Sequence, residues 1–274
     1  MAAGNGVSAR GIGTRFALKH SGNRLKRSSI KNLLYLILVL AVYPAAALVL
    51  AWFGGRALGE GGAAAVTRII LLSQCVIVAC FVPFFLSLRP AGKPIPSMSV
   101  AALKAAGIVG ATCAIAVVSG LILGSSPPMA WVLKSGAIAI GFAVVLTGVG
   151  ALAHRLGARA AGGQLVVCLA AALMLGTVFY ANPAIAAARG SLKVALIQAA
   201  VAGNPLVSVA GSALDCDILV SRESAVSLYN TSLIGPDHLY HYPAWWSVCL
   251  VYGVVGFAMV LVSTIGGSRS KSGG

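Results

Sequence analysis

Long uncharged apolar runs recur along this chain, separated by short segments that hold Gly, Pro, Ser and basic residues. A hydrocarbon core of about 30 Å is crossed by roughly 20 apolar helical residues. Barrel strands would need strict apolar and polar alternation, which the runs lack, so helices are the expected spanning element. Six runs of sufficient length predict six transmembrane helices: Leu33–Phe53, Ile69–Leu88, Val100–Leu123, Trp131–Leu152, Leu165–Tyr180 and Trp245–Ile265.

The composition agrees with a fold embedded in lipid. Hydrophobic residues make up 59% of the chain, charged residues make up 9%, and the mean hydropathy is +0.94. A soluble domain could not bury that much apolar surface. Many of the 33 glycines lie inside the apolar runs, where small residues let neighbouring helices approach closely. We therefore expect an all-α integral membrane protein with a compact helical bundle.

The charges are divided unevenly between the two sides that six spans create. One side receives both tails and two connections, with fourteen basic residues and no acid, whereas the other receives six basic residues and all five acids. The positive-inside rule makes the first side cytoplasmic. This predicts a basic cytoplasmic tail at 1–32, a transmembrane domain at 33–265 with an external segment at 182–244, and a cytoplasmic tail at 266–274.

The net charge of +15 is a second consequence of these basic flanks. Because they border apolar spans, anionic lipid headgroups are the expected partner, and nucleic acid is not. A multi-pass protein of the cell (inner) membrane is the favoured localisation. An acid-free basic tail is also typical of organellar transit peptides, and that alternative stays open.

The segment 194–214 departs from the pattern of the other runs. It is apolar enough to enter a membrane, but Asn204 and Pro205 interrupt its centre, and Gln198 and Ser208 make it more polar. We interpret it as a re-entrant or interfacial helical hairpin between the fifth and sixth spans, bent at Asn204-Pro205. An ordinary seventh span with a proline kink is the alternative.

Polar residues of the external segment are candidates for function. Asp215, Asp217, His238 and His241 carry carboxylate and imidazole groups, which are usual ligands of divalent metals. Their spacing matches no compact metal motif, so we expect hydrogen-bonded polar groups at headgroup level and no bound metal. Three residues at the start of the last span are typical interface anchors: Tyr242, Trp245 and Trp246.

Motifs of catalysis and nucleotide binding are missing from the sequence. It contains no GxxxxGK[ST], GxSxG or HExxH pattern, and its six cysteines are scattered without a CxxC pair. We expect a protein that is not an enzyme and has no cofactor. If ATP drives it, another chain binds the nucleotide.

With these pieces in place, the layout resembles the permease subunits of ABC-2 type transporters. The matching parts are the basic tail up to Lys31, the hairpin at Asn204, Pro205 and Leu206, and the return to the bilayer at Tyr242–Trp246. The resemblance implies six spans with both termini inside, and a hairpin that gates the outer mouth of a pathway. It also implies a homo- or heterodimer and a cytoplasmic ATPase partner.

Two other classes remain open at this stage. A non-catalytic membrane subunit or scaffold of a larger complex would use the small-residue faces as helix contacts and the external segment as a docking surface. A metal-dependent enzyme at the membrane interface would use the two aspartates and two histidines. The uncharged interior favours a lipid-like or amphipathic substrate for the transporter hypothesis.

Overall fold

The computed structural model describes residues 62–87, 94–124, 126–158, 160–219 and 240–265, together with Val49. These residues are helical or lie in turns, and no strand occurs among them. The tails at 1–32 and 266–274, the first predicted span apart from Val49, and His238 lie outside the described residues.

Nine α-helices follow one another in the described part of the chain. They are α1 (Gly62–Ser87), α2 (Pro94–Ile122), α3 (Met129–Arg155), α4 (Ala160–Leu175), α5 (Thr177–Tyr180), α6 (Asn182–Ala187), α7 (Gly190–Gly203), α8 (Pro205–Ser208) and α9 (Trp245–Ile265). A π-helical segment, Val209–Ala213, continues α8.

Four of these helices, α1, α2, α3 and α9, are long and apolar enough to cross a membrane. Two bent pairs meet the same test only when each is counted as one span: Ala161–Leu175 with Thr177–Ala187, bent by 68°, and Gly190–Gly203 with Pro205–Ala213, bent by 84°. The described chain therefore holds four to six candidate spans, as expected of a multi-pass membrane protein.

The predicted fifth span, Leu165–Tyr180, differs from the structure because its helix ends at Leu175. Gly176 separates α4 from α5, and a Cβ atom on Gly176 would lie 2.6 Å from the ring of Tyr180. The ring thus occupies the space that a side chain would need. Glycine also has a low helix propensity, which favours a break at this point.

Helix α3 is the centre of the bundle. It packs against α1, α2, α4 and α9, and it is the most buried of the four long helices, whereas α9 is the least buried. Its fully buried side chains include Ile138, Phe142 and Leu146. A helix that is apolar on all sides and surrounded by others in this way is typical of the inside of a membrane bundle.

Side-chain contacts define the directions of the helices around α3. Cys113 of α2 donates to the carbonyl of Val132, and Val109, one turn earlier in α2, lies beside Gly136, one turn later in α3. Helix α2 is therefore antiparallel to α3. The guanidinium of Arg68, near the start of α1, lies over Trp131, so these two helices begin at the same end. We call this end of the bundle the Trp131 end, and the opposite end the Arg155 end.

Helix α9 runs parallel to α3 along most of its length. Gly141 lies beside Tyr252, Gly148 lies beside Gly256, and Arg155 donates a hydrogen bond to the carbonyl of Val262. The contacts advance in the same order along both helices, so the two helices point in the same direction. Both therefore begin at the Trp131 end.

Two glycines allow the closest approach between α3 and α9. A Cβ on Gly148 would lie 2.6 Å from the carbonyl oxygen of Gly256, and a Cβ on Gly256 would lie 2.7 Å from the backbone of Val144. Close backbone contact is a main source of helix association in lipid, where the hydrophobic effect gives little. Gly148 and Gly256 therefore set the distance between the two helices.

We predict that Gly256→Ala destabilises the protein, because the added methyl group meets backbone atoms that cannot rotate away. The expected loss is about 1–3 kcal/mol, the usual cost of overpacking, measured as a lower Tm in detergent. Gly253→Ala is the matched control, since a Cβ there meets nothing within 4 Å. Equal melting temperatures for the two variants would contradict the prediction.

Candidate functional site

The bent hairpin (residues 190–213) turns at Asn204, which is fully buried. Asn204 has extended backbone angles, and its side-chain oxygen accepts hydrogen bonds from the N–H groups of Leu206 at 3.0 Å and Val207 at 3.1 Å. Pro205 occupies the first position of α8, where a missing N–H is harmless. The Asn-Pro pair thus ends α7 and begins α8.

The same asparagine also completes a second helix. Its amide nitrogen donates to the carbonyl of Leu175, the last residue of α4, at 2.6 Å. Beside it, the Thr177 hydroxyl lies 3.0 Å from the carbonyl of Ala200 and 3.2 Å from that of Met174. The breaks at Gly176 and Asn204 therefore face each other, and we call this junction the double break.

Other carbonyl groups at the end of α7 are also bonded to side chains. The Ser208 hydroxyl donates to the carbonyl of Val201 at 3.3 Å, and the Tyr252 hydroxyl of α9 donates to that of Ala202 at 3.1 Å. An unsatisfied backbone group in hydrocarbon costs several kcal/mol. These hydrogen bonds make the interrupted backbone compatible with a membrane and attach the hairpin to α9.

The return segment (residues 240–243) holds both limbs of the bent hairpin. Gln198 of α7 forms two hydrogen bonds with the backbone of His241, one to its N–H and one to its carbonyl. On the other limb, the Ser212 hydroxyl donates to the carbonyl of Pro243 at 2.6 Å. Both limbs therefore meet the same short stretch of chain immediately before α9.

Gly211 makes the tightest of these contacts. The ring of Tyr242 lies directly against its backbone, and a Cβ on Gly211 would overlap atoms of this ring. Any larger residue would have to displace the ring. Glycine is thus required at 211 because of a side chain that lies far away in the sequence.

Asp217 binds two tyrosines of the return segment. Its carboxylate accepts hydrogen bonds from the hydroxyls of Tyr240 at 2.6 Å and Tyr242 at 2.8 Å, and from the N–H of Leu219 at 2.9 Å. The two rings meet edge to face, with centroids 5.5 Å apart. We call Asp217, Tyr240 and Tyr242 the Asp217 clamp.

The clamp changes the acidity of its tyrosines. Burial raises the pKa of the Tyr240 and Tyr242 hydroxyls, and the hydrogen bonds to the Asp217 carboxylate raise each pKa further. Because both hydroxyls keep their protons at neutral pH, they remain donors.

Of the four predicted outer residues, the structure describes Asp215, Asp217 and His241, and these three form no cluster that could hold a metal. Asp215 is exposed and has a positive φ of 49°, at the end of the π-helical segment. His241 contributes its backbone to the site, its side chain is exposed, and His238 lies outside the described residues. Within the described ranges, no group of three or more His, Cys, Asp or Glu residues is placed to hold a metal.

The predicted interface anchors have different surroundings. Tyr242 points into the Asp217 clamp and is half-buried. Trp245 and Trp246 are exposed at the start of α9, as anchors at a membrane surface would be. Of the three, Tyr242 therefore has a structural role inside the protein.

A cationic group lies close to the clamp. The guanidinium carbon of Arg68 is 4.8 Å from the ring centroid of Trp131. Burial raises the pKa of the nearby Cys216 thiol, which the positive charge of Arg68 lowers and the negative charge of Asp217 raises. Arg68 and Asp217 thus both act on Cys216, although the structure shows no ion pair between them.

Several of these residues were not among the sequence candidates. Gln198 and Gly211 lie within the hairpin, Thr177 lies at the unpredicted break, and Arg68 lies in α1. The one signal in the sequence is that Gln198 is an amide side chain in an otherwise apolar stretch. Polar residues at membrane depth are usually bonded to a specific partner.

No protein-family model, no curated protein sequence and no solved structure matches the chain. The chemistry of the site is therefore the guide to its function. Amides, hydroxyls and one carboxylate hold backbone segments together there. Among the described residues, no hydrogen bond joins a Ser, Thr or Cys side chain to a His or to a carboxylate, the arrangement that would activate a nucleophile.

We predict that Asn204→Ala lowers the free energy of unfolding by about 2 kcal/mol or more, because it removes a helix cap and leaves the Leu175 carbonyl unsatisfied. Asn204→Ser should be less damaging, since serine also caps helices but is too short to replace the bond to Leu175. Thermal unfolding in detergent measures the difference. Thr264→Ala, at a partly buried position near the end of α9, is the control, because its hydroxyl bonds only within its own helix. An Asn204→Ala variant as stable as this control would refute the capping role.

Proposed function

We propose that the chain is the membrane-spanning permease subunit of an ABC-type transporter, working with a separate ATPase subunit. The observation that carries the proposal is the bent hairpin. It lies between the bent segment formed by α4, α5 and α6 and the last span, α9. Both limbs of this hairpin are bonded to the return segment, and its apex is bonded to α4 and α9. A re-entrant hairpin at this place is suited to closing one end of a pathway.

The directions of the helices support re-entry over a full crossing. Because α3 and α9 are parallel, the chain between them crosses the bilayer an odd number of times. Helices α4, α5 and α6 together supply one crossing. A second full crossing by residues 190–213 would make α9 antiparallel to α3. Asp217 and Tyr240 lie on the same side of the bilayer, since the two are hydrogen-bonded.

The same directions support six spans with both termini inside. Helices α1, α3 and α9 all finish at the Arg155 end, as the second, fourth and sixth spans of that layout would. The excess of basic residues assigns this end to the cytoplasm under the positive-inside rule. The Trp131 end, with the Asp217 clamp and the exposed Trp245 and Trp246, then faces outward.

The energy source in this proposal is another chain. None of the five acidic residues lies in a described helix, so no buried carboxylate in these helices is available to carry protons or cations. A cytoplasmic ATPase would bind the connections 88–93 and 156–159 at the Arg155 end. Two copies of the chain would form the pathway, and its apolar walls favour an amphipathic substrate.

The hairpin is well attached to transmit movement. Its apex is bonded to α4 through Asn204 and to α9 through Tyr252, while its limbs are bonded to the segment that leads into α9. A shift of α4 against α9 at the cytoplasmic end therefore changes the position of the hairpin at the outer end. This is the coupling that alternating access requires.

We expect a tagged chain purified from its native membrane in mild detergent to bring with it a nucleotide-binding subunit in equal amount. Mass spectrometry of the purified complex identifies the subunit, and its ATP hydrolysis should depend on the presence of this chain. Other membrane subunits without an ATPase would overturn the proposal in favour of a scaffold. Within a confirmed complex, Pro205→Leu should impair transport, and normal transport by this variant would remove the hairpin from the gate.

We expect single cysteines in a cysteine-free background to report the topology. Ser126→Cys, between α2 and α3, and His241→Cys, on the return segment, should react with an impermeant thiol reagent from outside, because both lie at the Trp131 end. Leu156→Cys, at the opposite end, should react only after permeabilisation. All three side chains are exposed. If positions 126 and 241 were instead labelled from opposite sides of the membrane, residues 190–213 would cross it completely.

A further inference from the structure

Arg68 has a charged side chain without a matching acceptor. Its Nε atom is buried and forms no hydrogen bond, and no ion pair joins Arg68 to any carboxylate of the described residues. A buried donor without a partner is destabilising, and more so when the group is charged. A ligand that accepts hydrogen bonds from the guanidinium would remove this cost.

Trp131 holds the guanidinium in position. The guanidinium lies over the indole at 4.8 Å, a cation–π contact that binds its face and leaves the N–H groups at its edge available. The pair belongs to the Trp131 end, which also holds Tyr240, Tyr242 and Trp245. Aromatic residues gather where a protein meets lipid headgroups, so the free edge of Arg68 lies at headgroup level.

The charge around Arg68 favours an anionic ligand. Lys134 follows Trp131 by about one helical turn on the same side of α3, and no acid of the described residues forms an ion pair with it. Asp217 is nearby but already accepts three hydrogen bonds from other groups. These donors are neutral, so they occupy the carboxylate oxygens without cancelling the negative charge of Asp217. Arg68 and Lys134 together carry one more unit of charge than Asp217 offsets, and Asp217 leaves the guanidinium without a hydrogen-bond acceptor.

We propose that Arg68, supported by Trp131 and Lys134, binds the phosphate group of a ligand with a net negative charge, amphipathic or soluble, at the Trp131 end of the bundle. Phosphate suits the guanidinium because two of its oxygens can accept parallel N–H bonds from the planar fork. Lys134 contributes a second positive charge. The site does not depend on the proposed transport function.

Quenching of Trp131 fluorescence tests this site. In the Trp52→Phe, Trp245→Phe, Trp246→Phe variant, Trp131 is the single tryptophan, and the protein is reconstituted in phosphatidylcholine vesicles that contain lipids with brominated chains. At equal lipid fractions, we expect brominated phosphatidylglycerol to quench Trp131 more strongly than brominated phosphatidylcholine does. The difference should correspond to an enrichment of phosphatidylglycerol beside Trp131 of about threefold or more. Arg68→Gln should abolish the enrichment, and Arg68→Lys should reduce it. Lys104→Gln, a basic residue on α2, is the control and should leave it unchanged.

A second arm separates the two sources of phosphate. In vesicles of phosphatidylcholine alone, inorganic phosphate is titrated while Trp131 emission is recorded. A saturable change that Arg68→Gln removes, without lipid enrichment, assigns the site to a soluble phosphate. Equal quenching by the two brominated lipids together with no response to inorganic phosphate would overturn the proposal. Enrichment that persists in Arg68→Gln would overturn it as well, and so would its loss in Lys104→Gln.

Discussion

A helix cannot stop inside a bilayer unless other groups complete its hydrogen bonds, because no water is present to do so. Asn204 meets this condition for two helices at once. Its oxygen caps the N–H groups at the start of α8, and its amide bonds the last carbonyl of α4. The same side chain thus satisfies backbone groups at the bend of the hairpin and at the break after Leu175.

The rest of the described bundle arranges itself around that junction. Helix α3 fills the centre, and Gly148 and Gly256 bring α9 close enough for Tyr252 to reach the carbonyl of Ala202. The residues immediately before α9 form the return segment, which is bonded to the hairpin and contains the two tyrosines of the Asp217 clamp. In this bundle, the close packing of small residues brings α9 to the place where its tyrosine can satisfy a polar backbone group of the hairpin. Helix packing and backbone hydrogen bonding therefore depend on each other.

Much of the fold could be predicted from the sequence because it depends on local properties. The lengths of apolar runs predicted α1, α2, α3 and α9, with bounds that agree within several residues. The Asn204-Pro205 bend was also predictable, since proline lacks an N–H and asparagine is a common cap. These features need only a few neighbouring residues to explain them.

The remainder depends on partners that are distant in sequence. The break at Gly176 follows from the ring of Tyr180 and from the hairpin that supplies Asn204. Asp217 was a candidate residue, but its bonds to Tyr240 and Tyr242 correspond to no recognisable spacing. The contact of Arg68 with Trp131 joins two different helices, and only the packing of the bundle brings them together.

The Asp217 clamp joins two stretches of chain that belong to different helices. Because Asp217 is bonded to Tyr240 and Tyr242, the chain that leaves the hairpin and the chain that enters α9 are held side by side. The direction in which α9 begins is thus fixed by a carboxylate that lies 23 residues before Tyr240 in the sequence. Replacing this one side chain therefore loosens the hairpin and the last span together, so a single position controls two elements of the bundle.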